Sequence, residues 1–214
     1  MTASSSLTPQ LERAYLEACE AELQAFKPGN VSIHSEGHGM TVEQFRLSAR
    51  RSAPWLADPH LSLGEKIFYA TETTRAAVGC NTNLGIVMLA APLLQAAHQV
   101  HRSGTPLRAA LAEVLDQTTR NDADWVFQAI RLANPGGLGE SSRHDVRHPA
   151  LVKLQDAMRE AENRDRIAFQ YVNCFKDVFD LAIPNTSTVT RCFSFFIFVL
   201  ELQISGRHIF IWLD

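Results

Sequence analysis

The sequence predicts an all-α protein: a single helical domain of about eight helices, followed by a hydrophobic C-terminal tail of different character. Three observations carry this reading. Apolar residues recur at three-to-four-residue spacing through most of the chain, the stripes open on capping signals, and no convincing strand alternation occurs before Pro184.

Thr8 followed by Pro9 is a cap and first-turn pair, and Leu11, Tyr15, Cys19 and Phe26 then fall at near-helical spacing, which predicts a first helix over 8–26. Thr41 and Gln44 form a capping-box pair ahead of Phe45, Ser48 and Ala49 and open a second helix. Ser62 and Glu65 repeat that pair before Ile67, Phe68, Thr71, Thr74 and Val78, giving a third helix that ends toward Gly79. From Leu84 to His101 the text is apolar nearly all round, which predicts a central, buried helix that Pro92 kinks or divides. Thr105 and Pro106 open a fifth helix with Leu107, Leu111, Val114, Leu115 and Thr118 on one face. Asn121 is the expected cap of a sixth, which runs to Ala133 and stops at NPGGLG. Two further stripes, Leu151, Leu154, Met158 and Ala161, then Ile167, Tyr171, Phe175 and Val178, predict two more helices.

The last thirty residues, from Asn185, are rich in phenylalanine and β-branched residues, and their apolar run is interrupted at Glu201 and too short to span a bilayer. A terminal strand pair is one reading. The composition favours an extension foreign to the domain, such as a shifted reading frame would produce. The expected division is a helical domain over 1–184 and an atypical tail over 185–214.

Length and composition narrow the function. A chain of 214 residues can bury a substantial core, and 46% hydrophobic and 20% charged residues are ordinary for a globular protein. A net charge of −3 gives no field to draw nucleic acid or an anionic membrane, so neither is an expected partner. Cys19, Cys80, Cys174 and Cys192 are widely spaced and form no CxxC pair, which fits free thiols in a reducing compartment. The N-terminus has no basic region followed by an apolar run, so a cytoplasmic protein is expected. Oligomeric state is not legible.

Four polar stretches interrupt the helices: KPGNVSIHSEGHGM (27–40), GCNTNLG (79–85), RNDADW (120–125) and NPGGLGESSRHDV (134–146). Each lies at a helix start or end. Helix ends that converge, approached by glycines with no Cβ, offer backbone N–H groups to phosphate oxygens; PGGLG taken alone is equally a helix stop. Lys27, at the end of the first helix, reads either as dipole compensation or as a phosphate contact. His34 with His38, and His144 with His148, have a four-residue spacing that suits zinc on a helix, but Gly37, Gly39 and Pro149 argue against helix there. Isolated acids, namely Glu36, Glu72, Asp122, Asp124 and Asp145, are of the kind that hold magnesium through one or two contacts plus substrate phosphates; Glu72 in mid-helix is equally an ordinary solvated residue.

Taken in order, KPGNVS, then GHGM and QFRLSA, then NTNLG, then DADWVFQAIRLANPGGLG with DV soon after, resemble the triphosphoribosyl-dephospho-CoA synthase family over about residues 11–182. The resemblance implies an all-α transferase that moves the triphosphoribosyl group of ATP to dephospho-CoA and releases adenine. That chemistry asks for acid–base groups, charge stabilisation and a clamp on the triphosphate. The candidates are Glu36, His38 and Glu72 for catalysis, and Lys27, Gly29, Asn30, Asn81, Thr82, Asn83, Gly136, Gly137 and Gly139 for the nucleotide. Asp122 and Asp145 are candidate Mg2+ ligands.

The chain departs from the family pattern in two places. NTNLG stands where the family has NTHKG, and His38-Gly39-Met40 lacks the aspartate of the family's His-x-Asp-Met element. A divergent branch with a related acceptor is the expectation, and a nucleotide-binding homologue without catalysis is the alternative. Family members also continue with further helices where the tail begins, so a truncated, inactive fragment is the third reading.

Overall fold

The computed structural model describes residues 7–25, 31–33, 40–136, 141 and 143–185. Among them are eight α-helices: α1 (Leu7–Gln24), α2 (Val42–Ala57), α3 (Leu63–Val78), α4 (Leu84–Ser103), α5 (Leu107–Asp116), α6 (Arg120–Ala133), α7 (Leu154–Ala161) and α8 (Arg166–Val172). A π-helical turn (Val178–Ala182) and a 3-10 turn (Ile183–Asn185) follow. The described residues contain no strand, only single bridges at Ser32 and Met40, so the all-α expectation holds. Phe26 and residues 186–214 lie outside the described residues.

The helix starts follow local chemistry. Thr41 accepts from the Gln44 backbone at 3.2 Å while the Gln44 side chain accepts from Thr41 N at 2.8 Å, and Ser62 and Glu65 repeat the exchange. The cap of α6 is Thr119 rather than Asn121, because Asp122 completes a third reciprocal box with Thr119. Helix α1 already begins at Leu7, which puts Thr8 and Pro9 inside its first turn. Gly79 (φ 76°) ends α3 in the left-handed conformation that glycine adopts without strain.

Helix α4 is the centre of the core. It packs on α2, α3 and α5, and it buries Leu84, Val87, Met88, Leu89, Ala90, Ala91 and Ala96. It is the one described helix long and apolar enough to cross a bilayer, and half of that stretch is buried inside the bundle. Contrary to the expected division, α4 runs continuously through Pro92. Proline has no N–H for the carbonyl four residues back, which is that of Met88. The buried Tyr171 hydroxyl donates to that carbonyl at 2.6 Å and replaces the lost bond from the other side of the core.

Helices α3 and α6 meet more closely than side chains allow. Gly64 N donates to Asp122 Oδ1 at 2.8 Å, and a Cβ on Gly64 would stand 2.6 Å from the Asp122 Cα. One turn on, Trp125 packs on Phe68 (ring centroids 4.9 Å apart) and Tyr69 (5.8 Å). Positions 64 and 68 thus meet 122 and 125 in the same order, so the two helices run parallel and their C-terminal ends point the same way.

The C-terminus of α2 is capped from within. Lys66, buried on α3, donates its ammonium to the Leu56 carbonyl at 3.3 Å and to that of Asp58, and His98 Nε2 donates to the Ala57 carbonyl at 2.9 Å. Burial pushes the Lys66 ammonium down to about 8. Near the chain's described end, buried Asp177 accepts from Arg166 and from Gln170 Nε2, which ties α8 to the π-helical turn.

The close α3–α6 contact makes a specific prediction. Alanine ordinarily favours a helix over glycine by ~1 kcal/mol. At Gly64 the added methyl would meet backbone that cannot rotate away, and overpacking of that kind costs about 1–3 kcal/mol. Gly64→Ala is expected to lower urea-measured stability by about 2 kcal/mol; a stabilised variant would show that the contact is not tight.

Candidate functional site

The site is built on one face of α2. Ser48 and Ser52 lie one turn apart, both fully buried. Ser48 Oγ donates to the Gln44 carbonyl at 2.6 Å and shares a 2.5 Å hydrogen bond with Thr82 Oγ1, so the Thr82 hydroxyl is its donor. Ser52 Oγ donates to the Ser48 carbonyl at 2.8 Å, which leaves it to accept from the Tyr15 hydroxyl at 2.9 Å and from Asn83 Nδ2 at 3.3 Å. A directed chain of hydroxyls thus fastens two residues of NTNLG to α1 and α2. Burial holds the Tyr15 phenol well above its ordinary value, so it remains a donor.

The start of α4 fits this arrangement. Asn83 occupies the N-cap position but makes no side-chain cap bond, because its amide is turned to Ser52. Asn81 Oδ1 supplies the cap instead, accepting from Leu84 N at 3.2 Å.

The ends of the 27–40 stretch are brought to the same place. Val31 and Met40 pack with Leu23 in a small apolar cluster that also holds Val42, Phe45 and Cys80, and Ile33 N donates to the Leu23 carbonyl at 3.0 Å. Cys80 directly precedes NTNLG, so Val31 and Met40 are held beside it. The candidates Lys27, Gly29, Asn30, Glu36, His38, Gly137 and Gly139 lie outside the described residues.

Gly136 follows α6, whose end is closed by Asn134 in a left-handed turn (φ 46°). Because α6 runs parallel to α3, this glycine-rich end and the Gly79–Asn83 end point toward the same pole of the bundle. The chain then returns along α6: Arg131 donates to the Val146 carbonyl, and Ala150 N donates to Asp124 Oδ1 at 2.6 Å. Glu72 is exposed on α3 and takes no part in the network among the described residues.

The proposed magnesium ligands do not fit a metal. Asp122 accepts from Gly64 N, Thr119 N and Thr119 Oγ1. Asp145 accepts from Arg147 N (2.9 Å), Nε (2.9 Å) and Nη2 (2.7 Å) and from Ser141 N (2.9 Å). The Arg147 guanidinium, helped by these N–H groups, holds the Asp145 carboxyl far below the usual carboxylate range. A cation at either acid would have to displace protein donors. Among the described residues no three His, Cys, Asp or Glu side chains come together to hold a metal, and this includes His144 and His148.

Two hollows adjoin the network. The inner one, with about 10 Å³ of space, has room for about one water and is lined by Cys19, Glu22, Leu23, Phe45, Ala49, Asn83 and Ile86. The outer one, a groove of about 470 Å³ between α1 and α2, shares Cys19, Leu23 and Ala49 with it and adds Leu16, Glu20, Arg46 and Arg50. Arg46 is held by Glu20 at 2.7 and 2.9 Å and by Glu43 at 2.9 Å, and it keeps the Glu20 carboxyl below its ordinary value. Sequence reasoning singled out Asn81, Thr82 and Asn83 and did not single out Tyr15 or Ser52, which hold Asn83 here. Tyr15 read as an apolar stripe position, and the one signal for Ser52 was its spacing of four from Ser48.

Removing the Ser52 hydroxyl would leave the buried Tyr15 and Asn83 donors without their shared acceptor. Ser52→Ala is expected to cost about 1–3 kcal/mol in urea unfolding. Tyr15→Phe should cost less in that background than alone, as coupled partners do. Additive losses would mean that the hydroxyls do not act together.

Neither a search of curated proteins nor a search of solved structures returned a match. The profile of one family, described as ATP:dephospho-CoA triphosphoribosyl transferase (CitG), matches residues 8–191 and so takes in the hydroxyl network, both hollows and the α6 end. The chain therefore belongs to the ATP:dephospho-CoA triphosphoribosyl transferase family.

Proposed function

We propose that this protein transfers the triphosphoribosyl group of ATP to a hydroxyl of dephospho-CoA, or of a related acceptor, with release of adenine. The observation that carries the reading is the anchoring of Thr82 and Asn83 on α2 next to a groove with room, at about 470 Å³, for a nucleotide-sized ligand. Family membership supplies the reaction class.

In this reaction the bond between ribose C1′ and adenine breaks, its electrons leaving with the base. An oxygen lone pair of the acceptor forms the new C1′–O bond, and the acceptor's proton ends on adenine. Charge builds on the sugar as in glycoside cleavage, so carboxylates near C1′ lower the barrier. Asn83 and Thr82 orient the sugar, and the glycine-rich end at Gly136, with Gly137 and Gly139, approaches the triphosphate. Glu36 and His38 remain the acid–base candidates of the opening loop, with Lys27, Gly29 and Asn30 beside them for the nucleotide. Magnesium enters with ATP as part of the substrate, on phosphate oxygens. Such substrates suit a cytoplasmic enzyme.

A second reading has one observation in its favour. Leu84 stands where the family pattern has lysine, and it is 3% exposed, so this position offers no cation to a phosphate. A homologue that binds nucleotide without turnover follows from that loss.

Incubation with MgATP and dephospho-CoA, followed by chromatography for adenine, separates the two. The proposal expects adenine in step with modified acceptor. Tight ATP binding by calorimetry with no adenine from any acceptor would favour the second reading.

A further inference from the structure

The groove between α1 and α2 has walls of two kinds. Cys19, Leu23 and Ala49 are buried and Leu16 is partly so, which gives it an apolar floor, while Glu20, Arg46 and Arg50 reach solvent along its rim. The cations of the rim are not equally engaged. Arg46 donates to both Glu20 oxygens, at 2.7 and 2.9 Å, and to Glu43 at 2.9 Å. Arg50 has a 3.9 Å contact to the other Glu43 oxygen, with its side chain 55% exposed. That distance is too long for a hydrogen bond, so among the described residues its guanidinium meets no acceptor at bonding distance.

The volume, about 470 Å³, falls in the range of about 300–1,000 Å³ that whole ligands fill. The two substrates of the proposed reaction suit such a space differently. ATP is polar along its whole length, and its base edges, ribose hydroxyls and highly charged triphosphate would lie against leucines and beside the Glu20 carboxylate. Polar groups brought out of water without partners are costly. Dephospho-CoA instead carries a pantetheine arm, in which methyl and methylene groups alternate with two amides and end in a thiol, joined to a pyrophosphate. Such an arm matches an apolar floor with a polar edge. A guanidinium binds phosphate oxygens through paired, charge-assisted hydrogen bonds.

We infer that this groove is the acceptor's subsite: the pantetheine arm of dephospho-CoA lies on Leu16, Cys19, Leu23 and Ala49, and Arg50 takes the pyrophosphate. This rests on the function proposed above. Cys19, Leu23 and Ala49 form the wall shared with the small hollow that Asn83 lines, so an acceptor in the groove is held next to the residue that orients the ATP sugar. Arg50 exchanges no proton and acts on binding alone.

The test uses the full chain and follows adenine release while MgATP and dephospho-CoA are varied in turn. Arg50→Gln should raise KM for dephospho-CoA about tenfold, with KM for ATP within about threefold of wild type and kcat retained at saturation. Arg50→Lys, which keeps the charge and loses the paired donors, should fall between. Phosphopantetheine, the arm with one phosphate, should inhibit the wild type competitively against dephospho-CoA and not against ATP. A KM for ATP raised as much as that for dephospho-CoA, no change in either, or phosphopantetheine that competes with ATP or does not inhibit would overturn the assignment while leaving the transferase reading intact. No adenine from the wild type would take down the transferase reading. Calorimetric binding of dephospho-CoA that Arg50→Gln weakens would still support the subsite in that case, and no binding would overturn it as well.

Discussion

One carboxylate holds two helix beginnings together. Asp122 closes its own helix through Thr119 and, with its other oxygen, takes the N–H of Gly64 in the first turn of α3. Both helix N-termini carry partial positive charge, so a single anion serves both. The price in side-chain volume is met by glycine, since any Cβ at position 64 would enter the Asp122 backbone. From this contact the parallel run of α3 and α6 follows, and with it the common direction of the two glycine-containing ends after Val78 and Ala133. A charge read from sequence as a metal ligand is instead the joint of the scaffold.

The polar network on α2 does the next part of the work. Inside a protein, hydrogen bonds between neutral groups are strong and unpaired groups are costly, so a fully satisfied chain fixes orientation. Ser48 and Ser52 each donate to a backbone carbonyl of their own helix, which leaves each oxygen to accept from outside. Thr82 and Asn83 are thus held as donors against a rigid helix, while Leu23, Val31 and Met40 cluster beside Cys80. Rigid elements place these polar residues.

Local chemistry was legible and long-range partners were not. The pairs Thr41 with Gln44 and Ser62 with Glu65 lie three residues apart, and the structure repeats them as read. Thr119 escaped notice because its partner is aspartate rather than glutamate or glutamine. Pro92 read as a kink or a division because the hydroxyl that donates to the Met88 carbonyl comes from Tyr171, far along the chain. Asn81, Thr82 and Asn83 were found through an unusual string, whereas the hydroxyls of Tyr15 and Ser52 that hold Asn83 come from other helices.

The central claim is that the segments around Met40–Ser48, Cys80–Ile86 and Asn134–Gly136 meet one nucleotide at one pole of the bundle. Amide hydrogen exchange with and without MgATP tests this most directly, because a ligand that binds the native state slows opening where it binds. Added protection concentrated in these three segments is the predicted result. Protection confined to α5, α7 and α8, or none at saturating MgATP, would contradict it.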